Sequence, residues 1–62
     1  MFTEKIEIIS NEKKRIKYVI EDILDKAGID FEWEDNLCLL VKLEDLYLVK
    51  DILEEYDIEI EV

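Results

Sequence analysis

Proline and histidine are absent from the chain, and glycine, cysteine, serine and tryptophan occur once each. The lack of proline, with Gly28 as the sole glycine, leaves no linker, low-complexity tract or domain boundary, so residues 1–62 are expected to form a single small domain. One cysteine closes no disulfide within the chain, and without histidine or a second cysteine there is no structural zinc set. The lack of histidine also removes Ser-His and Cys-His nucleophile pairs. Ser10 is better placed as a helix cap than as a nucleophile, so the chain is not expected to be an enzyme.

Two further absences bear on location. The start, "MFTEKIEIIS", has no basic region followed by a long apolar run and a small-residue cleavage site. No apolar run approaches the roughly 20 residues that a membrane span requires. A cytoplasmic protein that makes no membrane contact is the expectation.

What the chain has in excess is acid: 18 Asp and Glu against 8 Lys and Arg, a formal charge of −10. That field repels nucleic acid and anionic lipid and attracts basic proteins. Half of the residues are hydrophobic and periodically placed, which distinguishes the chain from a disordered acidic tail.

The periodicity predicts six elements. Ile6 and Ile8 alternate with Lys5 and Glu7 in a strand over residues 2–9, and Ser10, or Asn11, then caps a helix. Over 11–27, Ile16, Val19, Ile20, Ile23, Leu24 and Ala27 form one helical stripe that Gly28 ends. "IDFEWEDNLCLLV", residues 29–41, reads as two strands joined by a two-residue turn at Asp35-Asn36. Residues 43–56 carry Leu46, Val49, Ile52, Leu53 and Tyr56 at helical spacing, and "DIEIEV" alternates again, with Ile58, Ile60 and Val62 on one side. The order βαββαβ predicts a ferredoxin-like sandwich, in which a four-stranded antiparallel sheet carries both helices on one face and the first and third strands are central.

The predicted turn fixes a register. It pairs Trp33 with Cys38 and Phe31 with Leu40 beneath the helices, and leaves Leu37, Leu39 and Val41 on the open face beside Asp30, Glu32 and Glu34. Asp57, Glu59 and Glu61 form the far acidic rim. An apolar stripe between two acidic rims fits a partner-binding surface. Metal binding by Asp30, Glu32, Glu34 and Asp35 is not expected, because "DFEWEDN" lacks the glycine and ligand spacing of a calcium loop; no cofactor is expected either. Lys13, Lys14, Arg15 and Lys17 oppose the dipole of the first helix, so Ser10, Asn11, Lys13 and Lys14 are candidate anion-binding residues.

The span from "DKAGIDFEW" to the C-terminus resembles the small regulatory amino-acid-binding ACT domains, and sulfur-carrier proteins of similar length. Where those families carry a glycine-bearing loop after the first strand or a cysteine in an exposed loop, this chain has Ser10-Asn11 and a strand cysteine, Cys38. The resemblance therefore implies the fold and carries no activity across. The acidity and size resemble nucleic-acid-mimicking inhibitors from phages and mobile elements. Two function classes follow: an acidic module that inhibits a basic nucleic-acid-binding or defence protein through its sheet face, and a homo-oligomeric ACT-like domain that binds a small anion, its sheet faces pairing with a second copy.

Overall fold

The computed structural model describes residues 1–61. Alternation puts Ile6 and Ile8 on the inner face of β1 (Glu4–Ile8), and the helical stripe puts Ile20, Ile23 and Leu24 on the inner side of α1 (Lys13–Lys26). The chain continues through β2 (Glu32–Asp35), β3 (Cys38–Val41), a 3₁₀ turn at Leu43–Asp45, α2 (Leu46–Glu55) and β4 (Ile60–Glu61). Both helices contribute to one buried cluster with the inner residues of the sheet, in which Ile20, Leu24, Val49 and Leu53 meet Ile6, Leu39 and Val41. The structure is thus α+β, with four antiparallel strands in the order β2-β3-β1-β4 and two helices on one face. Val62, expected to join the core side of the last strand, lies outside the described residues.

The two helices end in the same way. At the end of α1, Gly28 takes a φ of 71°, its amide donates to Asp25 O at 3.1 Å, and the amide of Ile29 donates to Leu24 O at 3.0 Å. At the end of α2, Asp57 takes a φ of 58°, with its amide on Glu54 O at 3.0 Å and that of Ile58 on Leu53 O at 3.0 Å. Both are Schellman closures, each sealed by a buried residue just past the turn, Ile29 or Ile58, beside a buried leucine of the last turn. Asp57 is therefore a turn residue. This corrects the expectation that it begins the last strand on the acidic rim.

The helix starts also differ from expectation. Glu12 occupies the N-cap position of α1, and Ser10 stands two residues earlier, its Oγ accepting the Glu12 amide at 3.1 Å. Val19, Ala27 and Tyr56, expected in the core stripes, are exposed.

The largest correction is the hairpin. Trp33 pairs with Leu39 and Glu32 with Leu40, while Asp35 pairs with Cys38, so Glu34 is an extra residue in a bulge and the turn is Asn36-Leu37. Leu37 adopts a φ of 57° and is buried. Its carbonyl accepts the Ile8 amide at 2.8 Å, which ties the turn to β1. Moving the pairing by one residue exchanges the faces of the whole strand. Leu37, Leu39 and Val41 enter the core, and Cys38 and Leu40 move to the open face, half-buried.

Phe31 and Trp33 do turn toward the helices, as expected. Trp33 links β2 to α1: its Nε1 donates to Glu21 Oε2 at 2.8 Å, Lys17 Nζ lies 5.3 Å from its ring centre, and Phe31 meets it edge-on at 6.3 Å. A half-buried indole with its N–H satisfied and a cation over its face holds the edge strand against the helix.

Candidate functional site

The sheet face opposite the helices is the candidate site. Directly paired residues share a face, so the ladders define two rows across it. One runs Glu32, Leu40, Lys5, and the other Asp35, Cys38, Glu7, Glu61. In the second row Glu7 stands directly opposite Glu61, an unfavourable like-charge pair that sheet stability alone does not select. The exposed Glu59 continues the face beside Ile9, whose amide donates to its carbonyl at 3.0 Å.

Glu34, pushed out by the bulge, reaches over the face. Its Oε1 lies 2.9 Å from Lys5 Nζ and accepts from Cys38 Sγ at 3.6 Å. Lys5, Glu7, Glu34 and Cys38 line a shallow depression of about 360 Å³. The hydrogen bond and charge of Glu34 raise the Lys5 pKa above its ordinary value, and the Lys5 contact holds Glu34 below the usual carboxylate range. Both groups are solvated, so this pair orients side chains and adds little stability.

Partial burial pushes the Cys38 thiol up, and the carboxylate of Glu34 pushes it further. Cys38 is therefore mostly thiol at neutral pH and a poor nucleophile. Alkylation by iodoacetamide at pH 8 is expected to run slower than for a free cysteine, and Glu34→Gln is expected to accelerate it by removing the carboxylate that disfavours the thiolate. A rate–pH curve for each protein checks this; equal curves would mean that Glu34 does not act on the thiol.

Of the residues expected to bind a partner, Glu32, Glu34 and Glu61 come together on the open face, with Glu59 at its end. Asp30 does not, since it lies outside the strands and pairs with Lys42 at 3.3 Å. Asp57 is in the α2 turn, and Leu37, Leu39 and Val41 are core. Glu7 and Asp35 join the acids and were absent from the expected set; the parity of Glu7 was readable, but the pairing that puts Asp35 beside Cys38 depends on the bulge. At the start of α1, Lys13 and Lys14 are exposed, but the Glu12 carboxylate stands in the N-cap position with Arg15 NH1 3.9 Å away. A second carboxylate or phosphate there would meet that negative charge.

Among the described residues no three acidic or thiol side chains converge on a point where a metal ion could sit. Among them also, no helix is long and apolar enough to cross a membrane. Comparison of the chain with protein-family models, with curated proteins and with solved structures gives no match.

Proposed function

We propose that the chain is a non-catalytic interaction module that binds a basic protein through the open face of its sheet. The observation that carries this reading is the composition of that face, where Glu7, Glu32, Glu34, Asp35 and Glu61 meet Lys5 as the only cation on the two cross-strand rows. Carboxylates fixed on a rigid sheet steer a basic groove into register and replace the phosphates it would otherwise hold. The half-buried Leu40 and Cys38 supply the less polar centre first assigned to Leu37, Leu39 and Val41. The βαββαβ order with strands in the sequence β2-β3-β1-β4 supports a ferredoxin-like sandwich as the scaffold. The partner is then a nucleic-acid-binding or defence protein, and the lone thiol suits a reducing, cytoplasmic encounter.

Capture of basic proteins on the immobilised chain tests this. Retention at about 50 mM salt, release at about 500 mM, and displacement by short duplex DNA are expected. Reversing Glu7, Glu32 and Glu61 to lysine is expected to cut retention about tenfold, whereas reversing Asp22, Asp25 and Glu44 leaves it nearly unchanged. Equal losses from the two triple reversals would reduce the binding to net charge and sink the proposal.

A further inference from the structure

The helix layer carries a second surface. Of the eight large hydrophobic residues exposed among the described residues, six lie on or beside the helices: Tyr18, Val19, Leu43, Tyr47, Leu48 and Tyr56. At one end of each helix the charges are of one sign, while Glu21, Asp22 and Asp25 of α1 and Lys50 and Asp51 of α2 lie further along. The first turn of α1 contains Lys13, Lys14 and Arg15 and no acid, and the last turn of α2 ends in Glu54 and Glu55 with no base. Each set opposes its own helix dipole, so neither was placed for helix stability.

β1 and β3 are antiparallel, and each is followed by the helix that returns across the sheet, so α1 and α2 run in opposite directions. When two copies meet helix layer to helix layer about a two-fold axis along the helices, α1 of one lies antiparallel to α2 of the other. The basic start of α1 then meets the acidic end of α2, Lys26, which also pairs with Asp22 of its own helix at 3.1 Å, comes near Glu44, and Tyr18, Tyr47 and Leu48 lie between these ends. Because the contact is isologous, each of these pairings occurs twice.

We propose that this face pairs two copies of the chain, held by the complementary ends of α1 and α2, and leaves both acidic sheet faces outward. With the whole molecule measuring 28 by 21 by 17 Å, one face offers at most about 600 Å² per copy, below the roughly 800 Å² per partner of a standard interface, so a reversible dimer is expected.

Sedimentation equilibrium of the full chain at about 0.15 M salt, from micromolar to millimolar concentration, is the test. The mass is expected to rise toward twice the monomer's. Lys14→Glu with Arg15→Glu, and separately Glu54→Lys with Glu55→Lys, are each expected to weaken pairing about tenfold. A chain carrying all four changes restores opposite charges across the contact and is expected to recover to within about threefold of the original. The swaps put each charge where the helix dipole favours it, so they do not threaten folding, and circular dichroism verifies that. A chain that stays monomeric throughout overturns the proposal. So does a four-change variant no stronger than the two-change ones, or a dimer disrupted by Glu32→Lys with Glu61→Lys instead.

Discussion

Replacing Leu39 by alanine is expected to remove about 3 kcal/mol of stability, and replacing its neighbour Leu40 less than about 1 kcal/mol. Leu39 is fully buried against the helices, whereas Leu40 lies half-buried on the open face between Lys5 and Glu32. A domain of 62 residues has roughly 3 to 9 kcal/mol in all, so the Leu39 variant stands at or past the edge of unfolding. Urea titration followed by far-ultraviolet circular dichroism measures both. The Leu39 midpoint should collapse and the Leu40 midpoint barely move. The opposite order would restore the two-residue turn at Asp35-Asn36, because that register buries Leu40 and exposes Leu39.

This pair of substitutions tests the point at which the sequence stops being readable. Both helices follow from their stripes, and Gly28 marks the end of α1 because only a residue tolerant of positive φ fits there. The face of β1 follows from the alternation of Ile6 and Ile8 with charged residues. From Leu37 to Val41 five consecutive residues are apolar, so either parity buries a hydrophobic set and the pattern cannot choose between them. The choice falls to the turn. Asn36 and Leu37 form it with a leucine in the left-handed region, a conformation that residue type argues against. The end of α2 was obscured in the same way, because Asp57 does the work of a glycine inside a run that alternates like a strand. For the site, parity already put Glu7, Glu32 and Glu61 on the open face, whereas the place of Asp35 beside Cys38 was not legible, because it depends on the bulge at Glu34.

At Leu37 itself the usual ranking of alanine over glycine is expected to reverse. Leucine at a φ of 57° costs about 1 kcal/mol through crowding of its Cβ against the backbone. Two interactions hold it there, burial of its side chain and the hydrogen bond from the Ile8 amide to its carbonyl. Leu37→Ala forfeits the burial, about 2 to 3 kcal/mol, and keeps the Cβ. Leu37→Gly forfeits the same burial but relaxes the backbone, an advantage only partly offset by the greater freedom of glycine in the unfolded chain. The glycine variant is therefore expected to be more stable than the alanine variant by up to about 0.5 kcal/mol. Two residues further on, in extended backbone, Leu39→Gly should instead fall below Leu39→Ala. Denaturation of the four variants under one set of conditions reads both orders. Alanine ahead of glycine at position 37 would mean that the chain does not turn there in a left-handed conformation, and the bulge at Glu34 and the burial of Leu37 and Leu39 would fall with it.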